Sequence, residues 1–428
     1  MPSTVELSHE ALASELQSAL RACLAQAPAF DPPPTLDLAV VAFPRQAPAV
    51  WANVLVTREN PGGVVAQIDA DASEVRNIRY LVDPTDRERR SVAWQAGADW
   101  TRLNDLEILH GQGPVRSIAP YPASLIKLMV AVGVGRLIDL QRSQWDEPWT
   151  WQGQTRPVWA WADGMVTESR NEHTSALVAL LHARGLADEP DPMAATANGQ
   201  AASEQRTVDH GGLLQGGLNA LFRFYGLPTL RLARTRADGG WLNRDGSGVG
   251  HLQMTAWDTV RLLWLLLPAV MPDAPPPPWL RGDEPPLLQA HTAQRLWQLM
   301  DDQALHEALS SAVAVGMPGW QPGIPARVPT RWLGPDGRVA AADRQWPGDV
   351  RPLQPQAQVQ FAHKTGTTEN YLSDAGWVRS LAPGGRRYLV ALLSTLGSRH
   401  APMPGLATDW CIPALGARLD AWLAQHLG

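Results

Sequence analysis

The chain has 428 residues, 45% of them apolar and 18% charged, enough apolar sequence for two sub-domains or one large elaborated domain, which excludes disorder throughout. A formal net charge of −6, with no Lys/Arg run beside an aromatic platform, excludes nucleic acid as an expected partner. The best apolar run, Leu262 to Met271, is interrupted by Pro268 and falls short of the roughly 18 residues that span a bilayer, so no membrane insertion is expected.

From the N-terminus, Leu12, Leu16, Leu20, Cys23 and Leu24 fall on one face of a predicted helix. Residues 1–27 lack the cationic start, apolar centre and small-residue cleavage site of a secretory leader, which points to the cytoplasm, or to the periplasm if a leader has been removed. Cys23 and Cys411 make neither a disulfide framework nor a metal site, and two unpaired thiols are expected.

The chain has only two lysines, Lys127 and Lys364, among 36 lysines and arginines. Arginine supplies plain positive charge but cannot act as a base, whereas a desolvated lysine can lose its proton, so these two positions draw attention first. Lys127 lies in Tyr121-Pro-Ala-Ser-Leu-Ile-Lys127, before an apolar run to Leu140 that reads as a helix begun near Pro122. Ser124 and Lys127, three residues apart, would share a face at its first turn, with apolar surroundings favouring the free amine and N–H groups aimed at a nearby oxyanion.

Next come four tryptophans, Trp149, Trp151, Trp159 and Trp161, which suit a packed core better than a substrate wall. In the segment Ser169-Arg170-Asn171, taken alone, Ser169 or Asn171 reads as the N-cap of the helix that follows. Residues 185–212 and 268–286 have linker composition. Thr255 and Asp258 form a predicted capping box. The Pro- and Gly-rich segment from Pro318 to Asp349 is a candidate lid near Lys364. Lys364 itself belongs to His363-Lys364-Thr365-Gly366-Thr367-Thr368, on a predicted strand that opens an antiparallel meander. A helix from Ala414 to His426 closes the chain. His173, His182, His251 and His363 lack ligand spacing and read as surface or capping residues; no metal or cofactor is expected.

Together, Ser124-x-x-Lys127, Ser169-Arg170-Asn171 and Lys364-Thr365-Gly366 resemble, in chain order, the active-site elements of class A serine β-lactamases and related penicillin-binding proteins. The resemblance extends to 217–226 and 254–263, which look like the helices flanking that family's Ω-loop. It implies an α/β (α+β type) fold in which an antiparallel sheet is flanked by the N- and C-terminal helices beside an all-helical lobe. Residues 1–115 and 345–428 would form the sheet lobe, and 116–344 the helical lobe, with insertions at 185–212 and 268–286. It also implies Ser124 as nucleophile, Lys127 as base and Ser169 as proton relay, with Lys364 setting the electrostatics. Asn171, Thr365, Gly366 and Thr367 would bind substrate, Thr367 sharing the oxyanion hole with Ser124.

The implied partner is a small-molecule or peptide-like substrate, and no oligomeric state follows. Three departures stand out. Arg170 replaces the motif's aspartate. Gly239 stands where the family's Glu-x-x-Leu-Asn pattern has its water-activating glutamate, with Asp238 and Asp245 reading as turn residues. Ser373 and Asp374 stand where many relatives anchor the substrate carboxylate with arginine. The expected activity is therefore amide acyl transfer through an acyl-enzyme, with a slowly turning-over penicillin trap or a carboxylesterase as alternatives.

Overall fold

The structure, a computed structural model, describes residues 7–26, 30, 33–95, 98, 103, 105–187, 217–282 and 284–427. Most of the 185–212 linker lies outside them. An N-terminal helix, His9–Gln26, precedes β1 (Leu36–Ala42), β2 (Val50–Val56) and β3 (Val64–Val65). Short pairings follow: β4 (Ile78–Leu81) between β5 (Ile108–His110) and β6 (Val115–Ile118), the hairpin of β7 (Pro148–Trp151) and β8 (Gln154–Pro157), β9 (Arg231–Leu232) with β10 (Leu252–Gln253), and β11 (Ala340–Ala341) with β12 (Arg344–Gln345). Then come β13 (Val359–Thr367), β14 (Leu372–Ser380) and β15 (Arg387–Ser394), and the terminal helix Cys411–Leu427.

The main sheet runs β13-β14-β15-β1-β2-β3, antiparallel throughout. Both terminal helices cover one face: Leu12, Leu16 and Leu20 meet Leu415, Leu419 and Leu423 over Leu38, Val40, Val390 and Leu392. Strand alternation sends Ala39, Val41, Leu389 and Ala391 to the opposite face, against Trp257, Val260 and Trp264 of the helix Ala256–Leu266. The central strands β1 and β15 are thus covered on both sides, which is why they read as near-continuous apolar runs. Helices Lys127–Asp139, Val158–Thr167, Asn171–Ala183 and Ala290–Asp301 pack together beside the sheet within this second core. Among the described residues no helix is long and apolar enough to cross a membrane.

Buried polar residues tie the layers. Asp37 of β1 accepts hydrogen bonds from Asn53 Nδ2 (2.7 Å) and from the Ala256 N–H (2.9 Å), while burial pushes its carboxyl up to about 6. It thereby caps the helix that Thr255 also caps. The predicted box is not reciprocal, because the Asp258 carboxylate turns to Thr229 and Arg261. On the other face, Asp420 of the terminal helix accepts two 2.6 Å bonds from Arg386 and one from Tyr388 (2.9 Å). Cys23 and Cys411 are free and buried in that same core, where the neighbouring Cys23 thiol and burial hold the Cys411 thiol up.

Candidate active site

The nucleophile candidate sits on a tight turn. Ala123 adopts a left-handed backbone (φ 51°), and Ala123–Ile126 form a single 3-10 turn that runs straight into Lys127–Asp139. The expected first turn is therefore 3-10 rather than α, a geometry in which positions i and i+3 eclipse and bring Ser124 and Lys127 to one side. Ser124 is partly exposed, and its N–H and hydroxyl have no hydrogen-bond partner among the described residues. The turn is pressed against the sheet. Ser373 Oγ donates to Pro122 O (2.6 Å), and a Cβ on Gly366 would lie 2.6 Å from Pro122 O and 2.7 Å from Leu125 N. Only glycine fits at 366, because the strand and the nucleophile turn meet there backbone to backbone.

Lys127 is fully buried, and its Nζ contacts Ser169 O (2.5 Å), Ser169 Oγ (3.1 Å) and Asn171 Oδ1 (2.8 Å). Lys364, equally buried, donates to the same Ser169 Oγ (3.0 Å) and to Thr365 O (2.7 Å). Burial, reinforced by the charge of Lys364, drives the Lys127 amine well below its usual range. Burial also lowers Lys364, to about 7, against the upward pull of Asp374 and Glu307. An uncharged amine has two protons and one lone pair. The two protons match the acceptors Ser169 O and Asn171 Oδ1, so the lone pair is left for a hydroxyl, from Ser169 or from Ser124. No hydrogen bond joins Lys127 to Ser124 here, a separation common where catalytic contacts tighten only around a substrate.

Ser169 itself has a left-handed backbone (φ 63°). The helix after it begins at Asn171 with Arg170 as N-cap and no side-chain cap bond, so neither Ser169 nor Asn171 is the cap that the segment alone suggested. Both side chains face Lys127 instead. Arg170 turns outward to Glu168 (2.9 Å) and Glu172 (3.5 Å), which accounts for an arginine at that position.

β13 is an edge strand, and its hydrogen bonding tells which groups face the cleft. Val359 donates to Pro325 O and accepts from the Arg327 N–H on the outer side, whereas Gln358 O and the Thr368 N–H bond inward, to Leu381 and Tyr371. His363 O and Thr365 O likewise accept outer partners, Gln303 Nε2 and Lys364 Nζ. Alternation along an antiparallel strand therefore turns the N–H and C=O of Thr367 outward as well, away from β14.

Neither aspartate of this loop takes the place of the glutamate that the resemblance implies. Asp238 is bound to Arg236 (2.5 Å) and to the Gly240 N–H, and Asp245 accepts from the Trp241 and Leu242 N–H groups, so both serve the turn as expected. A Cβ on Gly239 would lie 2.3 Å from Ser175 O and 2.9 Å from Trp151 Nε1. What approaches Lys127 from this loop is Trp241, its ring centre 5.5 Å from Nζ. The other tryptophans brace the surroundings: Trp149 Nε1 donates to Ala176 O, Trp151 Nε1 to Asp238 O and Trp161 Nε1 to Trp149 O. Trp159, 42% exposed, stands apart.

Two histidines expected at the surface are buried. His173 packs edge-on to Trp161, and a Cβ on Gly164 would collide with it. His363 lies behind β13 with Nδ1 2.7 Å from Asp374 Oδ1, and stacks on Phe361. Asp374 is held well above the usual carboxylate range by burial. Among the described residues, no group of His, Cys, Asp or Glu is placed to hold a metal. The Pro318–Asp349 segment reaches the cleft edge, where the Ala342 N–H donates to Glu168 (2.7 Å) and Arg344 pairs with Glu307 (2.7 Å), which after Asp374 supports the charge on Lys364. Trp241 and Glu307 gave no such signal in sequence, since each acts across a tertiary contact.

No family model and no curated protein matches the chain. Among solved structures, the chain is similar to PBP-A and to beta-lactamases. The PBP-A structure is 15% identical, with 96% of this chain and 95% of that one covered and a TM-score of 0.42. A point mutant of PBP-A, solved as an acyl-enzyme complex with penicillin G, is 13% identical over 100% and 97% of the two chains, with a TM-score of 0.43. A beta-lactamase from Sphaerobacter thermophilus is 12% identical over 97% and 98%, with a TM-score of 0.46.

Proposed function

We propose that this protein is a serine acyl-transfer hydrolase of the penicillin-recognising kind, with Ser124 as nucleophile. Ser124 Oγ attacks the carbonyl carbon of an amide, β-lactam or peptide-like, as its proton passes to the lone pair of Lys127. The oxyanion is received by the N–H groups of Ser124 and Thr367, each such donor contributing about 3 kcal/mol to the transition state. Collapse of the tetrahedral intermediate breaks the C–N bond, and the leaving nitrogen takes a proton from Ser169 Oγ, which Lys127 restores with the proton it took from Ser124. Asn171 fixes Lys127 and offers its amide to the substrate. Lys364 with Thr365 receives an acidic group of the substrate, and Gly366 lets the nucleophile turn close on the strand.

The observation that carries this reading is the convergence of the chain's only two lysines, both buried, on one serine hydroxyl. Structural ion networks pair lysines with carboxylates; two amines sharing a hydroxyl is an arrangement for moving protons. Intact-protein mass spectrometry after exposure to penicillin G and to a p-nitrophenyl ester tests it. An adduct on the wild type that Ser124→Ala abolishes is expected, and equal labelling of both proteins would sink the assignment.

A second reading, an acyl-enzyme with little turnover, is favoured by the loop, where both aspartates are committed to the backbone and Gly239 has no space for a side chain. A coloured cephalosporin separates the two. A burst equal to the enzyme concentration marks a trap, and sustained release marks a hydrolase; a protein that turns over only esters is a carboxylesterase.

A further inference from the structure

Lys127 Nζ meets Ser169 O, Ser169 Oγ, Asn171 Oδ1 and, on the loop side, the indole of Trp241; the charged groups that act on it are Lys364, across Ser169, and Glu172 of the following helix. Trp241 is 2% exposed, and its Nε1 has no hydrogen-bond partner. A buried indole normally satisfies its N–H, and leaving it unpaired carries a desolvation cost. Hydrogen bonding therefore does not explain this tryptophan; the volume of its ring does.

The loop is built to hold that ring in place. Asp245 Oδ2 accepts from the N–H groups of Trp241 (3.2 Å) and Leu242 (3.0 Å), and Trp151 Nε1 clamps Asp238 O (2.9 Å). At 5.5 Å the ring stands near the outer limit, about 6 Å, at which an aromatic face attracts a cation. Its attraction for an ammonium is thus weak, while the water it displaces from a fully buried amine is what an ammonium most needs.

Resting on the reading of Lys127 as base, we infer that Trp241 is a positioning residue for catalysis: it acts through Lys127, walling water off Nζ on the loop side. The loop supplies a hydrophobic wall where a water-activating carboxylate would otherwise stand.

The scarcity of lysine gives a direct test. Protein labelled with 13C,15N-lysine has two side-chain signals, one of which disappears in Lys364→Arg, and the other reports the charge on Lys127 as pH is varied. In the wild type, Lys127 is expected to titrate well below an exposed lysine. Trp241→Leu, which removes the ring and admits water, is expected to raise its titration midpoint by at least about one unit, and Trp241→Phe, which keeps a ring, to leave it near the wild-type value. Circular dichroism and the retained Lys364 signal show that each variant is folded; should the leucine variant not fold, Trp241→Met, which is narrower than an indole, replaces it. An unchanged midpoint without the ring, or a phenylalanine variant shifted as far as the leucine one, overturns the inference. Absence of a Ser124 adduct would sink the acyl-enzyme reading while leaving this titration readable.

Discussion

Lys364 is the residue whose chemistry is most exposed to experiment. Burial lowers it to about 7, so it carries a full positive charge only below that pH. An anionic substrate that needs the ammonium is expected to lose kcat/KM as pH rises through about 7, whereas a neutral ester keeps its rate over the same interval. Parallel profiles for the two substrates would show that Lys364 does not receive the anion. Stability moves the other way. Between about 7 and the unfolded value of 10.5 the folded state binds fewer protons than the unfolded chain, so this residue's contribution to stability grows as pH rises across that window.

At the scale of elements, the loop 234–248 is where the proposed acyl-enzyme would find or lack a hydrolytic base. Gly239 has φ 92°, and a Cβ there would run into the Ser175 carbonyl. Introducing a glutamate with Gly239→Glu is therefore expected to disturb the loop without creating a hydrolytic base. The left-handed backbone alone costs about 1–3 kcal/mol. A lowered melting temperature with no gain in cephalosporin turnover is the expected result, and brisk turnover would mean the loop has another arrangement.

Elements with a clean period were legible from sequence. The three-strand meander alternates, and the terminal helices repeat leucine every three or four residues, so each appears close to where its pattern put it. The three motifs were legible because each is local. Illegible were contacts made across the fold: the burial of His173 and His363, the thiols of Cys23 and Cys411 side by side, and Trp241 reaching Lys127. Local sequence carries no record of what packs against it from a hundred residues away. The Ser-Arg-Asn segment shows the converse, because its local pattern pointed to a helix cap while the tertiary structure turned both side chains to Lys127.

For the whole molecule, the two ends of the chain form one layer over the sheet, held by the Arg386–Asp420–Tyr388 cluster as well as by leucines. Removing one partner of a buried pair leaves an uncompensated charge, so Asp420→Asn is expected to destabilise the fold by about 3–5 kcal/mol. Chemical denaturation checks this, and a loss below about 1 kcal/mol would mean that the pair is dispensable.

The outer edge of β13 has a final consequence for what can enter. Its start is already paired with 325–327, His363 O is taken by Gln303 and Thr365 O by Lys364, which leaves the Thr365 N–H and the N–H and C=O of Thr367 at the end of the strand for a visitor. At about 3.3 Å per residue that is a docking ledge of roughly 7 Å. A donor that lies along it as an extra strand borrows main-chain hydrogen bonds for about two residues before meeting the chain's own backbone. On the proposed reading the edge would act as a ruler, admitting short acyl groups more readily than long extended peptides.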